Sequence, residues 1–171
     1  MEAKWCVIFG AGGHGKVVLD CVRQWGLLDS AVVAIGDNIT RDRVAHELAR
    51  TGVGFTTLIH PSARIAHGVT IGVGTVVLAN AVVNVDASIG EHCIVNTAAT
   101  VDHDCRLGRA VHIGPGAHLA GNVVVGDLSF IGTGASVIPG ITIGSRAIIG
   151  AGAAVVEDVA DGVMVTGVPA R

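Results

Sequence analysis

From Ile59 onward an aliphatic residue returns every six positions: Ile65, Ile71, Val77, Val83, Ile89, Val95, Val101, Leu107, Ile113, Leu119, Val125, Ile131, Val137, Ile143, Ile149 and Val155. Four places after each stands, almost always, a small or β-branched residue, such as Ala81, Cys93, Ala99, Cys105, Ala117, Ser129 and Val159. Glycine often follows the aliphatic residue directly, as at Gly72, Gly90, Gly108, Gly114, Gly126, Gly132, Gly144 and Gly150. A strand alternates with a period of two and a helix with 3.6, so neither alone makes a period of six. Short strands joined by tight corners do. Three such units close a triangular coil, so residues about 18 apart lie one above another and the aliphatic residues point at the axis. The small residue fills the corner, and glycine supplies the backbone angles a sharp turn demands. Coils stacked at about 4.8 Å share one continuous core. The phase holds from residue 59 to 160, so no insertion longer than a corner is expected.

Ahead of the repeat the pattern changes. Cys6-Val7-Ile8-Phe9 reads as a buried strand, followed by Gly10-Ala11-Gly12-Gly13-His14-Gly15, after which Val18, Cys21, Val22 and Trp25 recur at helical spacing. Strand, G-x-G-x-x-G turn and helix make a phosphate-binding unit, in which glycines admit the phosphate to the backbone and the helix offers free N–H groups. A tight turn without a ligand is the plainer alternative. A second strand is predicted from Ala31 to Ile35, then Gly36-Asp37-Asn38, a helix over roughly 41–50, and Phe55 to Ile59 as the entry to the repeat. Asp37 stands 22 residues after Gly15, near the place of a ribose-binding carboxylate. Yet about 56 residues cannot supply both halves of a dinucleotide fold, so a mononucleotide or nucleotide-sugar handle fits better than NAD. The chain divides into a small α/β domain, 1–56, and a mainly β solenoid, 57–171.

Composition sharpens this picture. Half of the 171 residues are hydrophobic but only 3% are aromatic, and 25 are glycine. That suits a narrow interior filled by Val, Ile and Ala rather than a core bulked by aromatic rings. A net charge of −3 gives no electrostatic case for nucleic acid or an anionic membrane. No apolar run approaches the roughly 20 residues of a membrane span, and the N-terminus lacks a signal-peptide apolar stretch. A cytoplasmic protein is expected. Cys6, Cys21, Cys93 and Cys105 show no paired or metal-type spacing and read as buried free thiols.

Coil geometry sorts the eight histidines. Within the repeat, only His103 is followed by a carboxylate, Asp104. Val85 precedes it by one coil and Gly121 follows by one coil, leaving an open backbone N–H beside the imidazole. Base, charged partner and oxyanion donor are thereby in one place. Asp86, Asp104 and Asn122 stack as a polar stripe beside it, and Asp104 should make His103 the stronger base. The plainer alternative is an exposed corner histidine with a solvated aspartate. A zinc site is a further alternative. His67 and His103 are two coils apart, as in trimeric β-helix carbonic anhydrases of the gamma class, but the third ligand position there is Gly108 here, so His112 would have to substitute.

The run Asn96-Thr97-Ala98-Ala99-Thr100-Val101-Asp102-His103-Asp104-Cys105, continuing through Val111-His112-Ile113-Gly114 to Ala120-Gly121-Asn122-Val123, resembles bacterial amino-sugar acetyltransferases. These include UDP-4-amino-sugar N-acetyltransferases and relatives that O-acetylate sialic acid. The Gly10 to Gly15 turn, Ala34-Ile35-Gly36-Asp37-Asn38, Ile59-His60-Pro61-Ser62-Ala63 and Gly167-Val168-Pro169-Ala170-Arg171 carry the same resemblance. It implies a left-handed parallel β-helix behind a Rossmann-like domain, a homotrimer with active sites between subunits, and acetyl-CoA as co-substrate. His103 would be the general base, Asp104 its support, and Asn96 would place the substrate. His112, Gly121, Thr133 and Ala151 match acetyl-CoA contacts. Gly12, Gly13 and His14 match the turn that holds the nucleotide, with Asp37 and Asn38 beside it. No Cys or Ser flanks His103 in the predicted stack, so direct transfer is expected. The chain departs from the family where a further strand with paired acidic residues should follow the first helix; the N-terminal domain reads as shortened. Transfer to an amine, transfer to a hydroxyl, and a non-catalytic assembly module remain open on the residues alone.

Overall fold

The computed structural model describes residues 6–10, 13 and 30–171. Strand β1 (Cys6–Phe9) pairs in parallel with β2 (Ser30–Val33), Cys6 opposite Ser30 and Phe9 opposite Val33. Helix α1 (Asn38–Ala49) follows. It begins three residues before the predicted start, because Asp37 caps it: the carboxylate accepts the Thr40 N–H at 2.8 Å. The helix expected around Val18 to Trp25 lies outside the described residues.

From Leu58–Ile59 to Met164–Val165 the chain forms two-residue strands in three parallel sheets. The first face holds Leu58–Ile59, Val76–Val77, Ile94–Val95, His112–Ile113, Phe130–Ile131, Ile148–Ile149 and Met164–Val165. Arg64–Ile65, Thr100–Val101 and His118–Leu119 belong to the second face, and Thr70–Ile71, Arg106–Leu107 and Val124–Val125 to the third. Partners in register are 18 residues apart, as Thr100 with His118 and Ile113 with Ile131. The aliphatic column is the core, with Val77, Ile113, Ile131, Ile143 and Ile149 fully buried, and the small column is buried beside it at Ala81, Cys93, Ala117 and Ala147. The result is a mainly β, parallel solenoid. Cys93 and Cys105 are free and buried, and burial pushes the Cys93 thiol up to about 11. Cys21 and the Cys6 side chain lie outside the described residues.

Two expectations are corrected. The glycines that follow the aliphatic residues do not carry the corner angles. Left-handed φ falls two places later, at Asn80 (58°), Asp104 (59°) and Asn122 (60°) among others. The glycines serve close approach: a β-carbon on Gly72 would stand 2.5 Å from the Glu91 nitrogen, and one on Gly114 2.6 Å from the Ile131 oxygen. The phase also slips. Val155 still pairs with Val137, but Val159 bridges Ile143 and Val165 pairs with Ile149, each 16 residues away rather than 18. Val159 is therefore an inward aliphatic residue of a shortened last coil, not a corner residue. Asp158 mends the gap, its Oδ1 accepting the Thr142 N–H at 2.7 Å where a backbone carbonyl accepts in the preceding coil, Val124 N–H to Ile141.

Polar clamps hold α1 to the edge between the third and first faces. Arg41 is 1% exposed. It donates to the His92 carbonyl (2.7 Å), the Ala110 carbonyl (2.7 Å), Ile35 (3.0 Å), Gly36 (3.1 Å) and the Asn38 side chain (2.8 Å). Burial lowers its pKa to about 10, which leaves it charged at neutral pH. The fixed fork of a guanidinium suits such a site, because every donor finds an oxygen. Arg109 ties the same edge to α1 through Asp42 and also pairs with Glu91.

Candidate active site

Val101 and Cys105 are buried in the solenoid core, so residues 102–104 must turn outward between them. This turn joins the second face to the third. The His103 Nδ1 lies 2.8 Å from Asp104 Oδ2, and the two side chains are 48% and 53% exposed. The carboxylate accepts from Nδ1–H and leaves Nε2 as the free basic nitrogen. The His103 pKa is raised, chiefly by that hydrogen bond.

Gly121 lies one coil on, beneath the imidazole. A β-carbon there would stand 2.5 Å from both Cε1 and Nε2 of His103, so the ring occupies the space of the missing side chain. Backbone N–H groups at this corner position attract anionic or amide oxygens elsewhere: Arg109 from Asp127, Thr97 from Asn96, and His103 from Asp102, all at 2.8 Å. Among the described residues the Gly121 N–H has no such acceptor. A base and an uncapped N–H are thus neighbours, the geometry needed to deprotonate a nucleophile and receive a developing oxyanion.

Asn96 and His112 form a second pair on the first face and its following turn. Asn96 Oδ1 accepts the Thr97 N–H, which directs Nδ2 at His112 Nε2, 3.0 Å away. His112 Nδ1 points to the Gly36 carbonyl at 3.3 Å, and its ring packs edge-on against Phe130. Thr133 and Ala151, both exposed, stack along the same edge as Asn96 and Thr97. Asp37 and Asn38 lie by the remaining edge, beside a cavity of about 320 Å³ that Gly36, Ile39, Leu128, Phe130, Arg146 and Ile148 also line. Asn38 donates to the Leu128 and Ser129 carbonyls, each at 3.0 Å. With Arg41 on its oxygen, its amide is fully engaged in holding α1, while a hydrogen bond from Thr40 keeps the Asp37 carboxyl below the usual range. Gly13 is exposed; Gly12 and His14 lie outside the described residues.

One chain therefore joins His103, Asp104 and Gly121 on one edge of the prism, and separately Asn96 and His112, the latter reaching the cavity wall at Gly36 and Phe130. Among the described residues no three His, Cys, Asp or Glu side chains converge as metal ligands, so the zinc alternative finds no ligand set there. Sequence reasoning did not single out Asn84, whose Nδ2 donates to Asp102 Oδ1 at 2.7 Å. The 18-residue spacing between them was the available signal.

The model of the bacterial transferase hexapeptide (six repeats) family matches residues 104–137. No curated protein matches the chain. Among solved structures, PerB from Caulobacter crescentus, in complex with CoA and GDP-perosamine, is 40% identical with a TM-score of 0.96, over 99% of this chain and 97% of that one. A histidine-to-asparagine variant of perosamine N-acetyltransferase from the same organism, with the same two ligands, is 39% identical with a TM-score of 0.95 over the same shares. The acetyltransferase domain of PglB from Neisseria gonorrhoeae, in complex with acetyl coenzyme A, is 38% identical with a TM-score of 0.94 over 99% of each chain.

Proposed function

The chain belongs to the hexapeptide-repeat sugar acetyltransferases, and from that premise we propose that it transfers an acetyl group from acetyl-CoA to the amino group of a nucleotide-linked amino sugar. The observation that carries the proposal is the His103–Asp104 pair lying over Gly121. Acetyl-CoA supplies the activated acyl carbon. His103 Nε2 takes a proton from the amine as its nitrogen bonds to that carbon. Asp104 stabilises the resulting imidazolium, and the Gly121 N–H donates to the carbonyl oxygen as it gains charge. The C–S bond then breaks, and the imidazolium returns its proton to the departing thiolate.

The separation of His103 from the Asn96–His112 pair and from the cavity supports a homotrimer, in which a neighbouring left-handed solenoid completes each site. Asn96 places the substrate; His112, Thr133 and Ala151 hold acetyl-CoA. Residues 1–56 form a small, shortened Rossmann-like domain for the nucleotide, with Gly12, Gly13, His14 and Asp37 at its turns and Asn38 holding α1 beside them, and 57–171 form the catalytic solenoid. No described helix is long and apolar enough to cross a membrane; the use of acetyl-CoA is what favours a cytoplasmic enzyme.

Thiol release from acetyl-CoA, measured with UDP- and GDP-linked 4-amino sugars, tests the reading. His103→Ala should lower kcat by ~10²–10⁴ with the melting temperature unchanged. An equal kcat in that variant would remove His103 from the chemistry, and release only with hydroxyl acceptors would replace the amine.

A further inference from the structure

The turn that presents His103 has a support beneath it that the reaction itself does not require. Asp102 Oδ1 accepts two hydrogen bonds, from the His103 N–H at 2.8 Å and from Asn84 Nδ2 at 2.7 Å. Asn84 stands at the same corner position one coil earlier, and its own N–H donates to the Val101 carbonyl at 2.9 Å. The next residue but one, Asp104, is held at φ 59°, a left-handed conformation unfavourable to a residue with a side chain. Asp104 N–H donates to the Val85 carbonyl at 3.1 Å, again in the preceding coil. Both ends of the His103 residue are thus fastened to residues 84 and 85. Comparable turns share parts of this arrangement: Asn96 Oδ1 caps the Thr97 N–H in the same way, and the backbone bond from the left-handed residue recurs, as from Asn122 to the His103 carbonyl. Only here, among the described residues, does an amide one coil earlier hold the capping carboxylate.

We infer that Asn84 and Asp102 are positioning residues for His103, Asn84 locking the Asp102 carboxylate so that it fixes the His103 backbone and presents a second negative charge to the imidazole. The inference rests on His103 being the base. Catalytic geometry tolerates little error, since a displacement of about 1 Å can cost ~10²-fold. A carboxylate on either side also makes the turn favour the protonated ring over the neutral one. The charged groups that face His103 are Asp102 and Asp104 on its own turn; the following coil presents Gly121 and Asn122, and the preceding coil Val85 and Asp86. In line with this, the Asp102 charge comes next after the Asp104 hydrogen bond among the causes that raise the His103 pKa, and its own pKa is lowered, first by the His103 N–H and then by Asn84.

The test separates cap from charge. Asp102→Asn keeps an oxygen for the His103 N–H but removes the charge; Asp102→Ala removes both; Asn84→Ala frees Asp102. Steady-state kinetics across pH are read beside the His103 titration followed by imidazole NMR in the full-length protein. Asp102→Asn should lower the His103 titration midpoint and move the acidic limb of kcat/KM with it, at nearly unchanged kcat on the plateau. Asp102→Ala should add a ~10-fold loss of kcat at unchanged KM for acetyl-CoA, and Asn84→Ala a smaller loss in the same direction. An unmoved His103 titration in all three variants, or losses confined to KM, would overturn the inference. Should the NMR midpoint move while His103→Ala retains full activity, the support stands and the base assignment falls.

Discussion

Two histidines of the same solenoid, His92 and His103, show how one repeat makes opposite environments. Each sits in a corner turn, and each ring lies over a glycine of a neighbouring coil, Gly74 and Gly121 respectively. His92 is 3% exposed, packs edge-on against Phe55 at 4.7 Å, and leaves a buried Nδ1 without a hydrogen bond among the described residues. Its pKa falls to about 4, through burial first and the nearby Arg109 next. His103 is open to solvent, holds a carboxylate on Nδ1, and has its pKa raised. His92 is the left-handed residue of its turn and His103 stands just before that of its own, Asp104, and what covers each turn does the rest. Loops and α1 close the His92 edge, and nothing among the described residues closes that of His103. Disruption should therefore cost stability at the first edge and rate at the second.

The largest effect is expected at the covered edge. Arg41→Ala would leave buried carbonyls at His92 and Ala110 without their donor. Unsatisfied buried polar groups cost about 1–3 kcal/mol each, and entering water would return part of that. A loss of about 2–4 kcal/mol in urea unfolding is expected, with kcat little changed in whatever remains folded. An unfolding curve that overlays the parent's would show that α1 is held by something other than this clamp.

At the open edge the corresponding change is Gly121→Ala. The added methyl enters the volume of the His103 imidazole, and the ring must swing away from its place. The backbone N–H of Gly121 survives the substitution, so the loss reports ring position alone. About a 10²-fold fall in kcat is expected, with the melting temperature within a few degrees. A kcat near the parent's would mean that the ring reaches its working position from elsewhere.

The contrast also marks what could be read from the chain. The aliphatic column and the stacking of Gly121 on His103 follow from a count of sixes, because an inward position in a coil admits few residue types. The slip at Val159 escaped that count, since valine satisfies both the inward and the corner requirement. The glycines of the repeat were visible but not their reason, as close approach and left-handed φ both favour glycine. Nothing announced Arg41: in a helix with few apolar residues a basic side chain reads as solvated. Its burial depends on five oxygens gathered from α1, the preceding loop and two coils, an arrangement without a sequence period.

The smallest effect separates the two histidines by the sign of its pH dependence. His92 has a folded pKa depressed to about 4 from an unfolded value near 6.5. Between those values the unfolded chain binds the proton and the folded chain does not, so stability rises with pH across that window and is lost as pH falls toward 4. His103 runs the other way. Its raised folded pKa contributes stability that is present below about pH 6.5 and disappears as pH rises through the folded value. Because the His103 pair is solvent-exposed, its slope should be the shallower of the two. Unfolding midpoints from pH 4 to 8 for His92→Phe and His103→Gln check this. The first should flatten the acid-side loss, and the second should leave that loss intact while removing the weak decline on the other side. A His92→Phe protein that loses stability toward pH 4 as steeply as the parent would place the acid sensitivity elsewhere, and the covered edge would then differ from the open one in packing alone.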